Sequence, residues 1–440
     1  MLNTIRKKVA LSAVFAIFLI VSITMTHGKI KAESEDMYEK LKVFSDVLSI
    51  VQKNYVEETK PEDLIYGAIN GMLRTLDPHS SFMRPDLYKE LQVETQGSFG
   101  GIGIEITIRK GILTIVSPIE DTPGFKAGLK SGDKIIKIED EYTENMTLLD
   151  AVKRMRGPAG EKVTISIMRK GFTEPKDFTL TREVIRIKSV KYKLLEENTI
   201  GYIRLSQFQE KTGGEFNKAL DTLEQGDNPL IGLVLDLRNN PGGLLDQAVK
   251  VCDTFIDEGL IVYTQGRTEG QQMRFTAHPN IKPHDYPIIV LVNGGSASGS
   301  EIVAGALQDH NRAVILGTPT FGKGSVQTII PLDDRSGLRL TTARYYTPSG
   351  KSIQATGIIP DVVVKEDFFH MDEDKKKIKF IKEKDLDGHF EPEGETEEIT
   401  GTEEEEEAEK DTQLTRATQL IKSWHIFKEF ESKNQQAVAP

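Results

Sequence analysis

The sequence predicts an α/β core of mostly parallel strands, preceded by a smaller α+β domain and flanked by helical regions at both ends. Two observations carry this. Between residues 181 and 365, strand-like runs at 199–205, 232–237, 288–292 and 313–316 alternate with helix-like stretches at 214–223 and 244–255. That order buries a mostly parallel sheet between helices. Near both ends, apolar residues recur at spacings of three and four, the period of one helix face.

The chain opens on a different pattern. Arg6, Lys7 and Lys8 precede an apolar run from Val9 to about Met25. Basic, then apolar, then polar is the order of an export signal, and the run is also near bilayer-spanning length. Residues 1–28 are therefore expected to be a signal peptide, cleaved near Ala32, or a retained membrane anchor. Either places the body outside the cytoplasm, in the periplasm or at the outer face of the inner membrane of a bacterial cell envelope.

Residues 37–92 read as helical. Leu41, Phe44, Leu48, Val51 and Tyr55 form one apolar face, and Pro61 begins a second helix with Leu64, Ile65, Ala68, Ile69 and Leu73. Packing into a core is the expected use of such faces.

Residues 93–180 carry Gly100-Gly101-Ile102-Gly103-Ile104, then Ala127-Gly128-Leu129-Lys130-Ser131-Gly132-Asp133, then a helix expected over 147–155. In order and length the segment resembles a PDZ domain. Such domains add an extended peptide as a strand and catch its C-terminal carboxylate on backbone N–H groups. The resemblance implies a peptide-binding loop at Gly101, Ile102, Gly103 and Ile104, with Ile102, Ile104 and Leu149 lining an apolar pocket.

Two segments of the core carry the chemistry. The apolar strand 288–292 runs into Asn293-Gly294-Gly295-Ser296-Ala297-Ser298-Gly299-Ser300-Glu301, and a helix with Ile302, Val303, Ala306 and Leu307 follows. A serine there sits at a helix N-terminus, where free N–H groups gather. Further on, Gly322-Lys323-Gly324 places a lysine among apolar and small residues. A serine hydroxyl needs a base, and a lysine serves only when neutral, which burial favours. A serine near a desolvated lysine is a nucleophile near a base.

Together these motifs resemble the carboxyl-terminal processing peptidases, or tail-specific proteases, over residues 37 to about 430. The resemblance implies Ser298 as nucleophile, Lys323 as general base 25 positions later, and Gln327 as the residue orienting the lysine. Gly299 stands where alanine is common in that family. Glu301 matches a family carboxylate and is expected to act at one remove, because direct contact would raise the lysine pKa. The loop Asp236-Leu237-Arg238-Asn239-Asn240-Pro241-Gly242-Gly243 looks like the family's second oxyanion loop. The expected donors are Gly299 N–H together with Gly242 or Gly243. Asp77-Pro78-His79-Ser80-Ser81-Phe82 and Gly357-Ile358-Ile359-Pro360-Asp361 are further signatures, with a structural role expected for His79. The resemblance also implies a crotonase/Clp-protease-like protease core over 181–365, a dimer or higher oligomer, and coupling of peptide binding to the active site through Arg156. Arg156 is equally well read as a solvated surface residue.

The rest of the chain completes the outline. Residues 325–346 alternate like a hairpin around 333–337. Residues 366–411, with Glu403–Glu407 unbroken, repel themselves and read as an acidic linker. Residues 412–430 regain helical period through Leu414, Ala417, Leu420, Ile421 and Trp424, to dock back or to join a partner subunit. The net charge of −11 argues against nucleic acid as a partner. With Cys252 the single cysteine, no internal disulfide forms, and the residue is expected to be buried. The histidines show no metal-ligand spacing, and no metal or cofactor is expected. His310 is expected to cap its helix.

The expected function is an exported serine endopeptidase that takes the apolar C-terminus of protein substrates in its PDZ groove, with or without an adaptor protein. The alternative is a catalytically silent, PDZ-bearing scaffold. A histidine-dependent serine protease would need a Gly-x-Ser-Gly-Gly loop, which the chain lacks.

Overall fold

A computed structural model describes residues 37–226, 228–280, 282, 284–365, 382–390 and 411–438. The segment 1–28 lies outside the described residues, and of the acidic stretch 366–411 only 382–390 and 411 lie within them. Among the described residues no helix is long and apolar enough to cross a membrane.

The described residues up to Leu73 form one unit and those from Arg74 onward a second. In the first, a helix spans 37–54, and another begins at Pro61. The expected core face of the first helix is open: Leu41, Phe44 and Tyr55 are exposed, and Leu48 and Val51 only partly covered.

The helical reading of 37–92 is interrupted. After Arg74 the chain loops through Asp77–Ser80 and forms the strand Ser81–Met83, which pairs antiparallel with Gly337–Tyr346. Asp77 accepts the N–H groups of His79 and Ser80 and the Ser80 hydroxyl, a turn built by one carboxylate. The helix Pro85–Gln96 follows.

The next domain is a sheet in the order Ile104–Arg109, Ile112–Pro118, Lys134–Ile138, Lys162–Met168, Lys176–Thr181. Its helix, Leu148–Met155, is capped by Thr147 and Asp150. Ser98–Gly101 pairs with Glu183–Arg186, so a two-stranded ribbon closes the domain on both sides of the chain. Ile104–Arg109 has one neighbour and is an edge strand.

The core sheet runs Val190–Leu195, Ile200–Leu205, Gly232–Asp236, Ile288–Val292, Ala313–Gly317, Val362–Val363. The first pair is antiparallel and every later pair parallel. Side chains alternate in direction along each strand. Leu233, Leu235, Val290, Val292 and Ile315 therefore join the apolar faces of Thr212–Glu224, Leu245–Asp253 and Gly299–Asp309 on one side. Val234, Ile289, Leu291 and Leu316 meet Ala417 and Ile421 of the tail helix Thr412–Val438 on the other. Of the two fates open for that helix, docking onto its own chain is the one seen here. Trp424, Phe427 and Phe430 on the same helix stay exposed. A second sheet holds Ser81–Met83, Gly337–Tyr346, Leu260–Gly266 and Met273–Thr276, with Ser325–Pro331 paired to Gly337–Tyr346 as the expected hairpin.

The tail helix is anchored at its start. Asp411 caps it through Leu414 N–H and forms a two-pronged ion pair with Arg238, at 2.8 Å on each prong. Arg238 also holds Asp236 at 2.7 and 3.0 Å. Planar guanidinium and carboxylate groups match in this geometry.

The packing behind the sheet is directly testable. Ile421→Ala empties a buried site and should lower unfolding stability by about 2–4 kcal/mol in denaturant titration. Trp424→Ala, at a 60% exposed position, should change stability by no more than about 0.5 kcal/mol.

Candidate active site

The parallel strands Gly232–Asp236 and Ile288–Val292 are neighbours, so the loops at their C-terminal ends emerge side by side. Open parallel sheets place their sites at such ends. The two loops are stitched by asparagine. Asn293 Oδ1 accepts the N–H groups of Asn239 and Gly295, and its amide donates to Asn239 Oδ1. Asn240 donates to Leu205 O, and its carbonyl accepts from Ala297 N–H and Ser300 Oγ.

Ser298 sits at the N-cap of the helix Gly299–Asp309 with φ 53° and ψ −110°, and makes no side-chain cap bond. A positive φ is uncommon for serine, and such strain persists only where neighbours hold it. A cap serine usually spends its hydroxyl on the N–H two or three residues ahead. Here Glu301 N–H goes to the Ser298 carbonyl, and Glu301 Oε2 accepts the Ser298 N–H at 2.7 Å. The hydroxyl is left free of capping.

Glu301 is fully buried and accepts four bonds. Oε2 takes Ser298 N–H and, at 2.9 Å, Lys323 N–H. Oε1 takes Gly322 N–H at 2.7 Å and the Thr320 hydroxyl at 2.6 Å. Burial pushes its carboxyl up to about 7, while these donors favour the ionised form. The backbones of Ser298 and Lys323 thus share one acceptor atom.

The lysine loop is bonded at every residue. Phe321 N–H donates to Ser296 O, Gly322 O accepts from Ala355, Gly324 N–H donates to Gln354 Oε1, and Gly324 O accepts from Tyr345. A side chain at 324 would place its Cβ 2.5 Å from Gln354 N, so only glycine fits. Lys323 is largely buried. Burial holds its amine below the ordinary lysine range; Arg339 acts in the same direction, while Glu383, Glu301 and Asp77 oppose it. Among the described residues its amine makes no hydrogen bond.

Other expected site residues are placed less directly. Gln327 donates its amide to Ser325 Oγ at 3.0 Å and Thr341 Oγ1 at 3.1 Å, not to the lysine. Burial pushes the phenol of Tyr345 up to about 12, and Ser298 beside it acts in the opposite direction. Tyr345 has no motif around it in the sequence; the hairpin pairing of Ser325–Pro331 with Gly337–Tyr346 brings it in.

Gly242 has φ 100°, and a Cβ there would lie 2.8 Å from Ser298 Cβ. Its N–H is spent on Asn240 Oδ1 at 2.9 Å. Gly243 N–H has no partner among the described residues, and neither has Gly299 N–H. Of the two glycines left open, Gly243 is the one with a free donor. The Gly299 position faces the Phe208 ring, which an alanine methyl would approach to 3.0 Å.

In the N-proximal sheet domain, Gly103 turns the chain at φ 71° into the edge strand Ile104–Arg109. Its carbonyl is held by Ile119 N–H and the Thr122 hydroxyl. Ile102 is buried in the domain core, Ile104 half-covered and Leu149 exposed, so Ile104 and Leu149 flank the open groove and Ile102 supports it. Gly101 ends the ribbon strand. Arg156 pairs with Glu90 and lies 4.2 Å from the Phe99 ring centroid. The helix bearing Glu90 gives Thr95 O to Glu210 N–H, and Phe208 nearby is bonded to Gly242 O and Leu244 N–H. Cys252 is buried at the core, and burial pushes its thiol pKa up, which leaves it inert. His310 ends its helix and bonds Leu260 O at 2.7 Å.

Residues 199–364 match Peptidase family S41, residues 90–168 the PDZ domain, and residues 20–86 the N-terminal domain of the activating protease CtpB. The carboxy-terminal-processing protease of Bartonella bacilliformis is 49% identical over 356 residues, covering 80% of this chain and 82% of that protein. The carboxyl-terminal-processing protease of Synechocystis sp. is 41% identical over 325 residues, 72% of this chain and 75% of that one. Among solved structures, the photosystem II D1 C-terminal processing protease is 31% identical over 73% of this chain and 92% of its own, with a TM-score of 0.43. An α/β core with its serine loop and lysine loop gathered on one buried carboxylate, behind a PDZ domain with an open edge strand, is thus joined by sequence to proteases that process C-termini: the chain belongs to the carboxy-terminal-processing proteases of peptidase family S41.

Proposed function

We propose that this protease is an exported serine endopeptidase working by a Ser-Lys mechanism. The observation that carries the reading is the shared acceptor: one oxygen of Glu301 holds both the Ser298 and the Lys323 backbone. Ser298 Oγ attacks the scissile carbonyl as Lys323 takes its proton, and Lys323 returns a proton to the leaving amine. Gly299 and Gly243 N–H groups receive the oxyanion, each worth about 3 kcal/mol of barrier. Burial with no direct carboxylate contact keeps the lysine a base.

The resting arrangement is one step short of this. Gln327 must turn from Ser325 and Thr341 to orient the amine. Binding of an apolar substrate C-terminus beside Ile104–Arg109 supplies the trigger. Arg156 then exchanges Glu90 for the active-site side, and the contacts through Thr95, Glu210 and Phe208 carry the change to Gly242 and Gly243. Export rests on the basic–apolar segment at 1–28, and a homodimer on the family. An adaptor protein is a further means of activation.

Full-length protein incubated with casein, or with a peptide ending in apolar residues, tests the reading. Wild type should cleave, and Ser298→Ala and Lys323→Ala should each lose at least about 10⁴-fold in rate. Cleavage surviving both substitutions sinks the assignment. Peptide binding without cleavage by any form favours the silent scaffold.

The pH dependence has a fixed sign. Lys323 must be neutral, so kcat/KM should fall about tenfold per pH unit below the lysine pKa and level off above it. A flat profile from about pH 6 to 10 contradicts a lysine base.

Glu301→Gln keeps the shape but replaces one acceptor oxygen by a donor. It should lower kcat/KM about 100-fold through misplacement of the loops. Chemical denaturation should show a stability loss of about 2–3 kcal/mol.

A further inference from the structure

Residues 382–390 form a short island packed against the lysine loop, and the mechanism above uses none of them. Glu383 is fully buried there. Its backbone N–H donates to Phe321 O at 3.2 Å, two residues before Lys323. Its carboxylate accepts from Gln354 Nε2 at 2.9 Å, and the same Gln354 takes Gly324 N–H on Oε1 at 3.1 Å, one residue after Lys323. Glu383 is therefore tied to the chain on both sides of the lysine.

The remaining partner of that carboxylate is His79, from the Asp77–Ser80 turn. His79 Nε2 lies 2.7 and 2.8 Å from the two Glu383 oxygens. A carboxylate only accepts, so Nε2 carries the proton. The backbone that carries the ring is held: His79 N–H goes to Asp77, and His79 O accepts from Arg339 Nε at 3.1 Å. The charges that act on the Lys323 amine are Arg339 on Gly337–Tyr346, Glu301 on the serine helix, Asp77 in its turn, and Glu383. Three carboxylates and one guanidinium thus act on a group that must be uncharged. Asp77 accepts from His79, Ser80 and Thr341, and Glu301 from Ser298, Thr320, Gly322 and Lys323. Among the described residues, the Glu383 carboxylate is occupied by His79 and Gln354.

We propose that Glu383 and His79 are positioning residues for the Lys323 amine: Glu383 clamps the lysine loop, and His79 holds its carboxylate so that the lysine remains a base instead of becoming the cation of a buried ion pair. A carboxylate within reach of an amine favours the ammonium form. A carboxylate occupied by a ring N–H and an amide pulls on the amine less. A glutamine at 383 would keep the clamp without the charge, which separates the two.

This inference rests on Lys323 being the base, and the experiment separates the two. In full-length protein, kcat/KM is measured against pH for wild type, Glu383→Gln, His79→Phe and the double variant, with Lys323→Ala as reference. Phenylalanine keeps the ring's bulk and lacks its donor. Glu383→Gln should move the acid limb to lower pH, and His79→Phe to higher pH, each by about half a unit or more. The double variant should follow Glu383→Gln, because His79 acts only through that charge. Circular dichroism checks folding. The pH dependence of Ser298 labelling by a fluorophosphonate reads variants too slow for turnover. The two substitutions are read separately, so one that fails to fold leaves the other as the test. Lower rates with unmoved acid limbs, or limbs moving in the same direction, overturn the proposal while an inactive Lys323→Ala leaves the Ser-Lys reading standing. An active Lys323→Ala overturns both.

Discussion

The site depends on a carboxylate that touches no substrate in the proposed chemistry. Glu301 lies at the start of the serine helix, yet three of its four donors, Thr320, Gly322 and Lys323, come from the other loop. Remove it, and three backbone N–H groups and a hydroxyl lose their acceptor in a buried place. Unmet buried donors cost about 1–3 kcal/mol each. That penalty welds together two loops that sit 25 residues apart in sequence. It also supports the unusual backbone of Ser298, whose positive φ costs on the order of 1–3 kcal/mol and needs something rigid to hold it.

Much of this was legible in advance, for reasons that differ by element. The parallel strands are near-continuous apolar runs, as strands covered on both faces must be, and their observed bounds fall within a residue or two of those read from the pattern. The serine and lysine segments stood out because residue type and spacing are properties of the chain. The four bonds of Glu301 were not visible, because three of its donors are backbone N–H groups that any residue supplies. Tyr345 and Glu383 were missed because long-range pairing delivers them: one through a hairpin, the other from a charged stretch that composition marks as a linker. The break at Ser81–Met83 escaped the helical reading because so short a strand shows no period of its own. It exists because Gly337–Tyr346 offers it a ladder.

The first helix shows the opposite error. Its period correctly marks a helix, but a period says only that a face is apolar, not what covers it. Leu41, Phe44 and Tyr55 remain exposed. The PDZ groove is open in another sense. Its edge strand lacks a neighbour on one side, and unpaired edges invite strand addition. Ile102, expected to line the pocket, supports it from within the core. Ile104 and Leu149 are left to meet the last side chain of a peptide.

The pairing of Asp411 with Arg238 has a consequence for the order in which the molecule is built. Arg238 belongs to the loop that carries Gly242 and Gly243, and its outer partner lies more than 170 positions later in the chain. Ribosomes deliver chains N-terminus first, and earlier domains fold before later ones exist. The serine and lysine loops are both made well before Asp411. The loop opposite them gains its last ion pair only when the tail helix has been synthesised and has settled on the back of the sheet. The Arg238–Asp411 ion pair is therefore one of the last contacts of the molecule to form, and it locks the Gly242–Gly243 loop to the tail helix only once that helix is in place.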